Sequence, residues 1–416
     1  MSIWTKKSVT LISMALATGL IGLVLFNIFF IVISVFFSSI LFFSFAAVSE
    51  NIKIVRTILN PKVFEDDVMS VRLTVINRGS GFGLVEVYDK LPSAMKIVSG
   101  SNKATLKLGK GDRALIHYSV ECPLRGFFNI GPMLVRSRDM FCLFSEERER
   151  VDITPITVYP RIEDARRFDV DTRYKKINPG SVMIRALGMG NDFHSIRNYV
   201  STDPFNRINW KASAKKRTLM VNQYELEDVY DLMIFLDARY VTKIGTPIRN
   251  SLEYMIKAAA SISSAAIKKT NRVGMVTYGK DVTILPPGSS NTQMETLLAT
   301  LTATYAGGKR TFKEALERAT PFLTPKSPVI IMTPLQRDDT LEDAIQLLLS
   351  KKYHITLLTP SIVDFERLIT GIYSPKYLLV KMERQNRLAK IRGMGVKVVD
   401  WPPERTVSDI ISEVAY

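Results

Sequence analysis

Cysteine and histidine are scarce in this chain, at 2 and 3 of 416 residues. Cys122 and Cys142 form no Cys-x-x-Cys pair and have no histidine at ligand spacing. Neither a zinc site nor a disulfide framework is expected, and both read as ordinary buried thiols. His194 has no cysteine or second histidine beside it. A Gly-x-Ser-x-Gly elbow and a His-Glu-x-x-His helix are both missing, which removes two common hydrolase signatures. Gly188-Met189-Gly190-Asn191-Asp192-Phe193 lacks the third glycine of a dinucleotide loop and follows no clear strand. Ala306-Gly307-Gly308-Lys309-Arg310-Thr311 fails as a phosphate loop, because Ala303 replaces the upstream glycine and Arg310 separates Lys309 from the hydroxyl.

Charge is absent altogether from Ser8 to Ser49, a run dominated by Leu, Ile, Val, Phe and Ala. One membrane span needs about 20 residues, so this run is long enough for two, joined by a turn near Gly22 to Asn27. Lys6 and Lys7 precede it and Lys53 and Arg56 follow it. The positive-inside rule then places both ends in the cytoplasm and the chain at the cell membrane. Ala47-Val48-Ser49 loosely resembles a signal cleavage site, but a signal peptide's apolar core is only roughly 7 to 15 residues long.

What is present elsewhere is positive charge: 56 Lys and Arg against 40 Asp and Glu, a net +16. Such a balance favours an anionic partner. The basic pairs Lys175-Lys176, Lys215-Lys216, Lys268-Lys269 and Lys351-Lys352 are scattered rather than interleaved with aromatics. No nucleic-acid binding is expected from that pattern, which suits a surface facing anionic lipid.

Four regions follow. Residues 1–50 are the helical hairpin. Residues 51–160 alternate with period two at Val71–Val75, Leu84–Tyr88, Thr105–Leu108 and Ala114–Val120, with Asn77-Arg78-Gly79 and Gly109-Lys110-Gly111-Asp112 as turns. About seven strands at this spacing predict a small sandwich-like domain. Residues 161–228 form a connecting stretch. From residue 229 to 416, strands and helices alternate as in a doubly wound α/β domain. Leu232 to Leu236 is a continuous apolar run ending in Asp237, as a buried parallel strand reads where it emerges at a crevice. Ile248, Leu252, Met255, Ala259, Ile262 and Ala266 form one helical stripe. Further strands are predicted at 272–278, 329–332, 355–359 and 396–399, with helices near 293–302, 312–323, 341–349 and 378–392.

The strand-ending Asp237, the long helix, Val273 to Gly279, and Gly307-Gly308-Lys309-Arg310-Thr311 before another helix resemble a von Willebrand factor A domain. The resemblance implies a divalent-metal site, with Mg2+ as the suitable ion. Only Asp237 and Thr311 match its ligands. The two serines are Arg239 and Val241 here, the late Asp is replaced by Thr333-Pro334, and Arg239 offers a positive charge of its own.

The connecting stretch resembles the membrane-anchored family of unknown function numbered 58, whose members are von Willebrand A-like. The match runs through Arg185, Gly188, Gly190, Asp192-Phe193, Arg197, Tyr199, Asp203, Arg207, Ile208, Trp210, Ser213-Ala214 and Lys215-Lys216, with Thr202 where the family has glycine. Arg125-Gly126 in the β-rich region fits the same family. The resemblance implies a non-enzymatic interaction module partnering a MoxR-type AAA+ ATPase. The alternative is a metal-dependent hydrolase or adhesion-type module using Asp237 and Thr311. In the stretch itself, Phe193, Tyr199, Ile208 and Trp210 are expected to wedge against the α/β domain, with Arg197 and Arg207 pairing Asp192 or Asp203.

Overall fold

A computed structural model describes residues 2–47, 51–79, 83–139, 141–163, 192–201, 203–225, 229–336, 338–371 and 375–415. The chain divides into two compact units, one of residues 1–162 with 298–304 and one of residues 163–297 with 305–416.

The first unit opens with a short strand, β1 (Ser2–Trp4), and two helices, α1 (Lys6–Val24) and α2 (Ile28–Ala47). Thr5 caps α1 by accepting from the Ser8 amide, and Asn27 accepts from the Phe29 amide at the start of α2. The turn falls at residues 25–27, inside the expected interval, with Phe26 at positive φ. Glycine lets the helices approach. A Cβ on Gly19 would lie 2.8 Å from Ser34 Oγ, and one on Gly22 would lie 2.8 Å from Ile31 Cγ1. Ser34 Oγ donates to the Ala15 carbonyl at 2.7 Å, so its hydroxyl is satisfied within the pair. Both helices are long and apolar enough to cross a membrane, and only 17% and 6% of their apolar windows are buried, unlike the core helices of a soluble domain.

The strands of this unit are β2 (Ile52–Ile58), β3 (Lys62–Phe64), β4 (Val68–Asn77), β5 (Gly83–Asp89), β6 (Lys96–Gly100), β7 (Lys103–Leu108), β8 (Arg113–Glu121), β9 (Gly126–Ile130), β10 (Met133–Asp139), β11 (Phe144–Arg150) and β12 (Thr154–Tyr159). They form sheets ordered β1-β11-β10-β5-β7, β2-β4-β8-β6 and β3-β12-β9. The alternation in β4 turns Met69, Val71, Leu73 and Val75 into a shared core with Val85, Val87, Tyr118, Ile130 and Met133. The sandwich-like expectation holds, with more strands than about seven. Of the strands it did not name, β3 is short and β6 uniformly exposed, so both lack an alternating face, whereas β2 and β10 do alternate and were passed over. Buried inside, Arg56 Nη2 meets Asp89 Oδ1 at 2.5 Å, and Tyr118 Oη donates to Asp89 Oδ2 at 2.7 Å. Burial first, and then the Asp89 carboxylate, push the Tyr118 hydroxyl well above its ordinary pKa.

The second unit begins with a hairpin, β13 (Asp192–Asn198) and β14 (Met220–Glu225), with the short helix α3 (Trp210–Lys216) between them. There follow β15 (Asp231–Asp237), α4 (Ser251–Lys268), β16 (Arg272–Tyr278), β17 (Val282–Gly288), α5 (Asn291–Ala303, whose residues from 298 on belong to the first unit), α6 (Phe312–Ala319), β18 (Pro328–Met332), α7 (Leu341–Ser350), β19 (His354–Pro360), α8 (Ile362–Thr370), α9 (Pro375–Gly393), β20 (Lys397–Trp401) and α10 (Val407–Ala415). The sheet order is β17-β16-β15-β18-β19-β20, parallel except for antiparallel β17. Helix α4 starts at Ser251, not Ile248, because the Asn250 side chain accepts from the Glu253 amide and fixes the first turn there. Ile248 stands outside the helix, half-exposed, while the other five stripe residues are buried. Strand β17 escaped the sequence reading because Pro286 and Pro287 deny it amide donors, which only an edge strand tolerates. Phe235, Val276 and Tyr278 pack with Phe312, Leu316, Ile345, Leu348, Leu388 and Ile391 in one apolar cluster.

Within the first unit, the buried Arg125 guanidinium donates to the carbonyls of Leu301 at 2.9 Å, Thr302 at 3.0 Å and Thr304 at 2.7 Å. These are orphan acceptors at the end of α5, where a cation suits the helix dipole. Arg125 is a capping and packing residue.

Candidate functional site

Asp237 ends β15 and is completely buried. Arg239 grips it side-on, with Nε 3.0 Å from Oδ1 and Nη2 2.7 Å from Oδ2. The Arg239 amide donates to Oδ1 at 3.0 Å and Thr333 Oγ1 to Oδ2 at 2.8 Å. Both carboxylate oxygens are therefore occupied by internal donors. Arg239 continues to Asp338, with Nη1 3.5 Å from Oδ2, and to the Gln336 carbonyl at 3.3 Å. Burial by itself lowers the proton affinity of the Arg239 guanidinium, but its hydrogen bonds to Asp237 and the nearby charges of Asp237 and Asp338 more than offset this, and the net shift is upward. Thr311 serves another purpose: its hydroxyl caps α6 by accepting from the Glu314 amide at 3.4 Å. Among the described residues no group of three or more His, Cys, Asp or Glu side chains is placed to hold a metal.

The loop after β18 closes the rest of this crevice. Leu335 sits at φ 62°, and the loop's carbonyls face arginines. Arg384 donates to Pro334 O at 3.1 Å and Asp400 Oδ1 at 2.6 Å, and Arg387 donates to Leu335 O at 2.8 Å and to Asp338 O. The carboxyl ends of parallel strands are where α/β sheets bind ligands. Here that space is filled by three arginines and the loop they hold. Thr333, Asp338, Arg384 and Arg387 were not singled out as one group from the sequence. Thr333 was visible as a substitution at a strand end, whereas the other three carry no local pattern.

Beyond β19, Asp364 accepts from Ser361 Oγ at 2.6 Å, Tyr377 Oη at 2.6 Å and Lys381 Nζ at 3.1 Å. Burial raises its pKa, the three hydrogen bonds lower it, and the net shift is downward. Every member of this cluster is engaged with another. In the first unit, a depression of about 380 Å3 is lined by Glu86, Tyr88, Lys103, Arg136 and Glu147 among others. Its charges also pair internally, Arg136 with Glu147 at 2.7 Å.

In the hairpin, Arg185, Gly188 and Gly190 lie outside the described residues, as do the side chains of Asp192 and Phe193, which open β13. Arg197 pairs with Asp203 through two hydrogen bonds of 2.7 and 2.6 Å, and Asp203 also accepts from the Val200 amide. The Tyr199 ring lies 5.7 Å from that of Phe205. Arg207 stands in a short 3-10 turn. Asn209 caps α3, and Ser213 Oγ accepts from the Met220 amide, fastening the helix to β14. Ile208 is buried and bridges Val221 of the hairpin itself, whereas Trp210 is 66% exposed. Its position at the first residue of a two-turn helix turns the ring outward, beside exposed Lys211, Lys215, Lys216 and Arg217.

Among solved structures, the CARDB domain of the PF1109 protein from Pyrococcus furiosus is 12% identical, with a TM-score of 0.18 over 26% of this chain and 92% of that one. The cupredoxin domain of amoB from Nitrosocaldus yellowstonii is 10% identical, with a TM-score of 0.20 over 27% of this chain and 89% of that one. Likenesses this faint say nothing of function. The Uncharacterized protein YeaD of Bacillus subtilis (strain 168) is 28% identical over 92 residues, which are 22% of this chain and 21% of its own length. The chain thus spans about a fifth of that relative. Residues 195–363, from β13 through the filled crevice to the start of α8, match the family described as Protein of unknown function DUF58.

Proposed function

We propose that this chain is a non-enzymatic interaction module, anchored in the cell membrane by α1 and α2 with both units in the cytoplasm, that partners a MoxR-type AAA+ ATPase. The partner class comes from the family resemblance, and a cytoplasmic setting gives it access to ATP. The five parallel strands with intervening helices support reading the second unit as a doubly wound, von Willebrand A-like domain. The observation that carries the non-enzymatic reading is the saturation of Asp237 by Arg239 and Thr333. A carboxylate offers about four lone-pair sites, and those of Asp237 are taken by the Arg239 amide, Nε and Nη2 and by Thr333 Oγ1, whereas catalysis by a metal needs an open position. The docking surface is then the outward face of the hairpin, where Trp210 and Phe205 are exposed among cations. Aromatic and arginine side chains are the usual anchors of interfaces.

Affinity capture of the full chain from membranes in mild detergent is expected to recover an AAA+ ATPase, and Trp210→Ala to lose it without altering the thermal midpoint. Recovery of no ATPase by the unaltered chain overturns the partner assignment.

A further inference from the structure

The turn between β10 and β11 has an unusual relation to the apolar hairpin. Thr5, immediately ahead of α1, donates through Oγ1 to the carbonyls of Cys142 at 3.1 Å and Leu143 at 2.8 Å, and through its amide to Leu143 O at 3.2 Å. β1 pairs with β11, with Trp4 opposite Phe144. Phe45, in the last turns of α2, meets the Phe144 ring edge-on at 5.5 Å, and Trp4 meets the same ring at 5.5 Å. Both ends of the hairpin thus converge on one turn of the sandwich. Two amides of the turn are held from inside: buried Asp139 accepts from the Phe141 amide at 3.0 Å and the Phe144 amide at 2.7 Å. Yet its tip residue Phe141 is 62% exposed, and Trp4 and Phe45 are also more than half exposed. Lys6 and Lys7 stand exposed beside them.

If α1 and α2 span a bilayer, this cluster lies where the apolar segments end. That level is the polar–apolar boundary, which aromatic rings favour, with lysines reaching the headgroups. We propose that the β10–β11 turn is a third membrane-contacting element, with Phe141 seated in the interfacial layer of the bilayer beside Trp4 and Phe45, so that the sandwich rests on lipid instead of standing away from it. This rests on the reading of α1 and α2 as spans.

The test is fluorine NMR on the full chain in lipid nanodiscs, with a fluorinated phenylalanine placed singly at position 141 or at position 36 in the middle of α2. Lipids carrying a nitroxide near the headgroup are expected to remove most of the signal at 141, and lipids carrying it deep in the chain to remove that at 36. If 36 responds and 141 is attenuated only by a water-soluble relaxation agent, the anchor stands and the proposal falls. If 141 responds to neither reagent, a second copy or another protein covers it and the proposal likewise falls. Silence at 36 removes the spanning reading and the proposal together.

Discussion

Two arginine–aspartate pairs in the second unit have nearly the same geometry and different settings. Arg239 and Asp237 approach to 2.7 Å, and Arg197 and Asp203 to 2.6 Å. The side chains of the first pair are 4% and 0% exposed, and those of the second 40% and 12%. Distance therefore does not rank them. In the crevice each charge has given up water and depends on its partner, so breaking the pair leaves a buried orphan. On the hairpin, water replaces whichever partner is lost. The first pair closes a place where chemistry could occur, and the second shapes a surface.

The largest effect is expected from Arg239→Leu. Leaving Asp237 buried and unpaired should destabilise the fold by about 3–5 kcal/mol, read as a large fall in thermal midpoint of the detergent-solubilised chain. The double variant Asp237→Leu, Arg239→Leu should regain part of that loss, because the desolvation cost of both charges disappears with them while Asp338 still loses its cation. A double variant as unstable as the single would break the comparison.

A middle-sized effect concerns acid. The hydrogen bonds from Ser361, Tyr377 and Lys381 hold the Asp364 carboxyl below its ordinary range despite burial. A depressed folded-state pKa stabilises fully above the unfolded value of about 3.9, and that contribution disappears as pH falls through the lower folded value. Asp364→Asn should accordingly flatten the fall of the thermal midpoint as the pH drops below the ordinary carboxylate range of about 4. Asp203 is also depressed, chiefly by Arg197, but that partner is 40% exposed and its charge is screened by water. Asp203→Asn should leave that acid limb nearly unchanged, which sharpens the contrast. The smallest effect belongs to Arg197→Ala, whose thermal midpoint should be close to that of the parent. A fall comparable to that of Arg239→Leu would mean that the hairpin depends on its ion pair as the crevice does.

Much of the fold was legible because burial leaves periodicity behind. Leu232 to Leu236 read as a doubly buried strand, and Leu252 to Ala266 as one helical face. The proline-bearing β17 and the exposed β6 leave no such trace, whereas the short helices α8 and α10 do carry one, as in the buried stripe Val407, Ile410, Ile411 and Val414, and escaped because nine residues give the period only about two turns to repeat. In the crevice, Asp237 and Arg239 are two residues apart at a strand end and could be suspected together. Arg384 reaches a carbonyl 50 residues away, and nothing local in the chain marks that meeting. The outward Trp210 shows the opposite limit, since an aromatic in a dense motif reads as a wedge until the helix carrying it proves too short to bury it.

The pairing of β1 with β11 also orders events in time. Ser2 lies opposite Glu146, so at synthesis rates of about 5–20 residues per second the first strand waits roughly 7 to 30 s for its partner to exist. Pairings this distant in sequence are slow to form. During that interval α1 and α2 are complete while the sheet that fastens them is not. The hairpin therefore reaches its surroundings as a free agent, and the sandwich is later built onto whatever position the hairpin has taken.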